Sequence, residues 1–450
     1  MVSRATSSVI ALSFLLAAGT ASAVDLVGIY ELAATNDPQL RAASYRRDAT
    51  GENVTQARSA LLPYLAGSAG ITRGDSETAI AGIGTVSNND IETQSWGLDL
   101  RQTLYDHANY KQLEVARGQV GQAEAQYAAA YQNFLVRVAG NYFEVLTAVD
   151  GVRFAEAEEL ALQRQFEQAE QRFEVGLTAV TDVHEARASY DNARARAIVA
   201  RNRLEDAKEG LRELTGQYFD EVDPLQEVLP LVEPDPASAD EWVDLAMSNN
   251  PSVIAAQRAV EIADSNAKLQ RSGHYPTVDL TASVGEFTNE NYLLLDDLQN
   301  PIGNADLTQD STNYSLRLNV PIYQGGFVSS RTRQARHLLN ATQQDLDVQQ
   351  RATLRATENA YRAVMAGIKQ VEAFGQALIS AKSALDATQA GFEVGTRTIV
   401  DVLIAEQRYF QAQRDNSNAR HTYIVDHLRL KAAAGLLSDA DLRAVNQILE

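Results

Sequence analysis

The sequence predicts an α+β membrane protein in two tandem structural repeats: a long α-helical coiled-coil barrel joined to a trimeric transmembrane β-barrel of twelve strands, four per chain. Three observations carry this. The halves of the 450-residue chain repeat each other, long proline-free tracts hold apolar residues at heptad spacing, and four short runs alternate apolar with polar side chains.

At the start, residues 1–23 read as a signal peptide: Arg4, an apolar run from Val9 to Ala18, then Ala21-Ser22-Ala23 as the cleavage site. No later stretch approaches the roughly 18 to 20 uncharged apolar residues of a membrane-spanning helix. An exported chain of that kind is soluble, lipidated or a β-barrel protein. The absence of cysteine removes lipidation, disulfides, thiolate metal sites and thiol nucleophiles together. With 39 basic against 59 acidic residues the formal charge is −20, which excludes a nucleic-acid partner, since such partners need concentrated basic surface.

The repeat comes next. Asn36-Asp37-Pro38 matches Asn249-Asn250-Pro251 at an offset of 213, and Pro63 matches Pro276 at the same offset. Tyr105 matches Tyr323 at 218, and Phe173-Glu174-Val175-Gly176 matches Phe392-Glu393-Val394-Gly395 at 219. The shift arises between candidate strands, where Arg73 to Ser95 is shorter than Glu286 to Asn313, and loops absorb such insertions. The first repeat spans 24–222, with a helix, strands near 63–72 and 95–105, and a helical hairpin over 106–215 with its tip near 176. The second spans 239–450, with a helix, strands near 276–285 and 314–323, and a hairpin over 324–437 with its tip near 395. Pro224, Pro230, Pro234 and Pro236 mark a linker over 223–238.

The long tracts lack proline and favour Ala, Gln, Glu and Arg, as helices do. Val364, Val371, Leu378, Leu385 and Phe392 recur every seven residues, as do Leu354, Tyr361 and Ile368, which is a coiled-coil seam. Val145, Val152, Phe166 and Phe173 continue the pattern in the first tract, broken at Glu159. A helix from Asp106 to Phe173 runs about 100 Å at ~1.5 Å per residue, longer than a globular core. The competing reading is several ordinary helices broken at Gly118, Gly121, Gly140 and Gly151.

Between helices, Val278, Leu280, Ala282 and Val284 alternate with polar residues, as do Tyr314, Leu316, Leu318 and Val320. Trp96, Leu98, Leu100 and Leu104 follow suit, and Leu65, Gly67, Ala69 and Ile71 more weakly. Each run has the nine or ten residues of a tilted membrane strand. A membrane sheet must close on itself because an open edge strands N–H and C=O groups in hydrocarbon. Four strands are too few; two chains would give eight and three twelve, and only the larger leaves a wide aqueous lumen. Six acidic residues between Glu286 and Asn313 (Glu286, Glu290, Asp296, Asp297, Asp306 and Asp310) read as a solvated outer loop.

The hairpin tips read Phe173-Glu-Val-Gly-Leu-Thr-Ala-Val-Thr-Asp182-Val and Phe392-Glu-Val-Gly-Thr-Arg-Thr-Ile-Val-Asp401-Val. With Pro276-Thr-Val-Asp-Leu and Pro321-Ile-Tyr-Gln-Gly-Gly326, they make the mature chain resemble the TolC family of outer-membrane efflux and secretion channels. The resemblance implies a homotrimer in the outer-membrane lipid with a periplasmic tunnel, opened when a periplasmic adaptor and an inner-membrane RND, ABC or MFS pump dock. It implies adaptor contacts at Val175, Gly176, Leu177, Val394, Gly395 and Thr396. It implies a gate of polar links at Gln165, Thr181, Asp182 and Arg397, with Phe392 in place of the family's tyrosine. It also implies an acidic entrance ring at Asp401, thinned because the family's second ring aspartate is Ile404 here.

The residues allow plainer roles as well. Gly176 and Gly395 suit helix-ending turns, with the valines as their contacts. Asp182 and Asp401 each begin a helix, where carboxylates cap. Glu156, Glu158 and Glu159 read as a solvated face. No histidine pairing, Walker, GxGxxG or G-x-S-x-G pattern suggests an enzyme, a metal or a cofactor. The rival functional class is a coiled-coil adhesin or periplasmic scaffold whose strands form a soluble cap.

Overall fold

The computed structural model describes residues 24–80, 84–295 and 301–449; the expected signal peptide, Asp296 and Asp297 lie outside the described residues. The first repeat comprises α1 (Leu26–Asn36), α2 (Pro38–Ser59), β1 (Tyr64–Ile80), β2 (Gly84–Asp106), α3 (His107–Glu174) and α4 (Val180–Thr215). The second comprises α5 (Ala239–Asn249), α6 (Pro251–Arg271), β3 (Thr277–Leu295), β4 (Pro301–Asn319), α7 (Phe327–Glu393) and α8 (Ile399–Ala433), followed by α9 (Asp439–Asn446). Among the described residues no helix is long and apolar enough to cross a membrane.

Where the sequence predicts one helix at the head of each repeat, there are two. Pro38 and Pro251 cause the break, since proline has no N–H to give and disfavours helix at the residue before it. The new N-termini are capped by that preceding residue: Asn250 Oδ1 accepts from the Ser252 amide at 2.9 Å, and Asp37 Oδ1 from the Gln39 amide at 3.0 Å. Conversely, α3 is unbroken over 68 residues, so its glycines do not divide it. Gly118 is there for space: a Cβ would sit 2.8 Å from Ile262 Cγ1 of α6.

Two compact units make up the chain, Met1–Arg41 with Tyr131–Trp242 and Thr357–Glu450, and Ala42–Ala130 with Val243–Ala356. The second unit carries an antiparallel sheet in the order β1-β2-β3-β4. Its register aligns the alternation across strands. Leu65 pairs with Leu100, Leu100 with Ala282 and Ala282 with Tyr314, a single apolar row; Gly67, Leu98 and Val284 form the next. The rows between are polar, running Tyr64, Arg101, Thr281, Ser315 and Ala66, Asp99, Ser283, Asn313. One face therefore suits lipid and the other water. β1 and β4 are open edges, so the barrel closes only when three copies supply twelve strands.

The strands are longer than the alternation indicates. They run 17, 23, 19 and 19 residues, so strands expected near 63–72, 95–105, 276–285 and 314–323 continue into segments expected to be loops, and β4 ends at Asn319. The reason is that pairing needs only the backbone, whereas alternation appears only where one face meets hydrocarbon. Thr72 and Arg73 are polar on successive faces yet still pair with Thr93 and Glu92 of β2, and the ladder resumes at Ser76 after a bulge.

The first unit is helical, with Leu26, Ile29, Phe134, Leu135, Tyr142, Leu211, Leu428 and Leu442 fully or almost fully buried. Tyr142 donates its hydroxyl to the Asp223 carbonyl at 2.8 Å, tying the interrepeat segment to α3.

Candidate functional site

The two hairpin tips, both in the first unit, close in the same way. Gly176 adopts φ +74° and Gly395 φ +77°. The Gly176 and Leu177 amides donate to the carbonyls of Phe173 and Arg172 at 2.9 and 2.8 Å, and those of Gly395 and Thr396 to Phe392 and Gly391 at 3.1 and 2.8 Å. This is the glycine-terminated helix stop in which the last orphan carbonyls find partners. The apolar flanks are not used by the turn itself. Val175, Leu177 and Val394 are 69, 76 and 75% exposed.

After the turns the repeats differ. α8 starts with a capping box: Thr398 Oγ1 accepts from the Asp401 amide at 3.3 Å, and Asp401 accepts from the Thr398 amide at 2.9 Å. The Thr398 amide and hydroxyl hold the Asp401 carboxyl below its usual range. α4 has Ala179 at the equivalent place and no side-chain cap; instead Thr178 donates to the Asp182 carboxylate.

The sequence-derived gate residues are only partly brought together within one chain. Phe392 packs on the tip core of Leu162, Ala169, Ala186, Ala193, Ile399 and Leu403, and the Arg172 guanidinium lies 4.5 Å over its ring. Thr181 and Arg397 are exposed. The Arg397 stem covers Gly391, whose Cβ would be 2.8 Å from Arg397 Cγ. Among the described residues Arg397 makes no ion pair with Asp182. Gln165 is buried and donates Nε2 to Glu406 Oε1 of α8 at 3.1 Å.

Above the tip core, α3, α4 and α8 meet around a carboxylate that the sequence suggests is solvated. Glu158 is 0% exposed; Oε1 accepts from Arg196 of α4 at 2.7 Å and Oε2 from Arg414 of α8 at 3.0 Å. Its neighbours Glu156 and Glu159 remain at the surface with Arg201. Ala155, Glu158, Leu162, Gln165 and Ala169 are all buried, and that three-and-four spacing was the available signal. Further along, Asp150 accepts from Ser417, and Thr147 bonds His421 Nδ1 at 2.9 Å beside a cavity of about 1200 Å³. Burial lowers the pKa of His421 to about 4. Arginines and carboxylates are equal in number on the cavity wall, so it selects no charge. Among the described residues no cluster of histidine and carboxylate suits a metal ion.

Comparison with known proteins agrees with this geometry. The outer membrane efflux protein family matches residues 29–217 and 242–436. Outer membrane protein TolC of Vibrio cholerae serotype O1 is 39% identical over 424 residues, covering 94% of this chain and 93% of the relative. TolC of Escherichia coli K12 is 34% identical, with 95% and 85% covered. Alkaline protease secretion protein AprF of Pseudomonas aeruginosa is 29% identical, with 94% and 87% covered. In fold, the Campylobacter jejuni CmeC outer membrane channel superposes with a TM-score of 0.77 at 17% identity, over 94% of this chain and 90% of that one. These matches set aside the adhesin or scaffold with a soluble strand cap. Both repeats, the four-stranded sheet and the paired helical tips fall within the match: the chain is an outer-membrane channel with a periplasmic helical extension, and it belongs to the outer membrane efflux protein family.

Proposed function

We propose that the channel is a passive exit duct, shut at its periplasmic end by the hairpin tips of three chains and opened by docking of a periplasmic adaptor and an inner-membrane pump of the RND, ABC or MFS type. It carries no catalytic step and needs no cofactor. Gln165, Thr181, Asp182 and Arg397 supply the polar links, Phe392 packs behind them, and Asp401 lines the entrance. Val175, Gly176, Leu177, Val394, Gly395 and Thr396 receive the adaptor. Residues 1–23 direct export and 223–238 link the repeats. Relatives named for protease secretion and for cobalt-zinc-cadmium resistance support a cargo drawn from secreted proteins or metal ions.

The observation that carries this reading is that both tips hold exposed apolar groups, and the second tip an exposed cation as well. Val175, Leu177 and Val394 stand in solvent, and Arg397 is exposed with no ion pair among the described residues. Links between exposed charges are worth only about 0 to 1 kcal/mol each, so a docking partner suffices to break them. Arg397→Ser tests the gate. It should raise resting conductance in planar bilayers, and an unchanged closed state would refute it.

A further inference from the structure

Gln165 and Glu406 are each more than nine-tenths buried, at 7 and 5% exposure, and joined by a single hydrogen bond. The Gln165 carboxamide oxygen Oε1 and the second Glu406 carboxyl oxygen Oε2 are buried with no partner among the described residues. Two orphaned acceptors on side chains already in contact violate the rule that buried polar atoms are paired. A carboxylate and a carboxamide cannot satisfy each other, because the pair then has one donor group too few. A carboxylic acid and a carboxamide can. The amide N–H donates to one carboxyl oxygen, and the carboxyl O–H donates back to the amide oxygen.

The surroundings favour the acid. The charge acting on Glu406 from α3 is Glu158, another carboxylate, and no ionisable group of α7 contributes among the described residues. Arg196 of α4 and Arg414 of α8 are turned onto Glu158 instead. Burial, with the Glu158 charge adding to it, raises the pKa of Glu406 despite the Gln165 hydrogen bond.

We infer that Glu406 stands in the closed channel as a neutral acid whose proton bridges to Gln165, and that it is a positioning residue for the tip gate. When the proton leaves to water, Glu406 Oε2 can no longer donate and Gln165 Oε1 is orphaned. A bare carboxylate then remains between α3 and α8, and the seam loosens to hydrate it. The inference rests on the tip-gate reading, in which Gln165 is one of the links. Alkaline pH should therefore favour opening.

The test is resting conductance in planar bilayers across pH for the full-length wild type, Glu406→Gln and Arg397→Ser. Wild-type conductance should rise several-fold from acid to alkaline pH. Glu406→Gln should stay closed throughout, because a carboxamide keeps both hydrogen bonds and has no proton to lose. The same pH rise in Glu406→Gln overturns the inference, as does a flat wild-type profile, which a water between the two acceptors would produce. Arg397→Ser separates the readings: if it stays shut, the gate itself fails, whereas if it opens and Glu406→Gln still follows wild type, only the proton is wrong. A protonated carboxyl band in the infrared difference between wild type and Glu406→Gln at acid pH is expected, and its absence refutes the neutral acid independently of gating.

Discussion

Removing the charge of Glu158 is the most direct test of what holds α3, α4 and α8 together above the tips. Its carboxylate accepts from two arginines, at 2.7 and 3.0 Å, and has no exposure of its own. A hydrogen bond to a charged group contributes about 1.5 to 3 kcal/mol, and breaking a buried pair typically costs about 3 to 5 kcal/mol. The arginines temper this. Their side chains are 40 and 30% exposed, so each regains water once released. Glu158→Gln should therefore cost about 2 to 3 kcal/mol, with Glu158→Ala somewhat more because it leaves a cavity. The assay is denaturant unfolding of the purified trimer in detergent, followed by circular dichroism at one fixed protein concentration, since assembly shifts apparent stability. A double-mutant cycle with Arg414→Ala should give a coupling of about 1 to 2 kcal/mol. A Glu158→Gln variant within about 0.5 kcal/mol of wild type, or a coupling near zero, would refute the three-helix tie.

Three further outcomes concern α8 and its cap. Thr398→Ala removes the cap of α8 and should lower stability by about 1 kcal/mol on thermal unfolding. Asp401→Ala should in addition weaken block by multivalent cations; if block is equal in both variants, Asp401 is a cap and nothing more. His421, with its pKa lowered to about 4 by burial, is neutral when folded and takes up a proton near 6.5 when unfolded. The unfolded state then binds more protons between those values, so stability should fall as pH drops through that window, approaching about 1.4 kcal/mol per unit. Denaturation curves across the window should differ in slope between wild type and His421→Asn by this amount, and equal slopes would refute the buried neutral imidazole.

Much of the fold was legible because membrane and coiled-coil surfaces impose periods on side chains. Leu65, Leu100, Ala282 and Tyr314 form one apolar row because hydrocarbon demands it, and that row is visible as alternation in four separate segments. Outside hydrocarbon the demand lapses, which is why the polar continuation of β1 past Ile71 looked like loop. At the tips the glycines were legible, since a left-handed residue after a long helix has few solutions. The buried polar layer was not. Glu158 and Gln165 occupy core positions of α3, but a charged or amide side chain resembles surface until its partners on α4 and α8 are known. Glu406 lies 241 residues from Gln165, and no local pattern joins them. The different starts of α4 and α8 turn on single residues, Ala179 and Thr398, beneath the resolution of any repeat alignment.

The open edges of β1 and β4 bear on inheritance. Each chain offers one edge to the next, so the ring is a head-to-tail circuit in which every link is needed. A chain that folds its helices but carries a spoiled edge still enters trimers and leaves them unsealed. In a cell making sound and spoiled chains equally, random mixing leaves only about one trimer in eight wholly sound. Edge mutations should therefore behave as dominant alleles, while mutations that prevent a chain from joining the ring at all should be recessive.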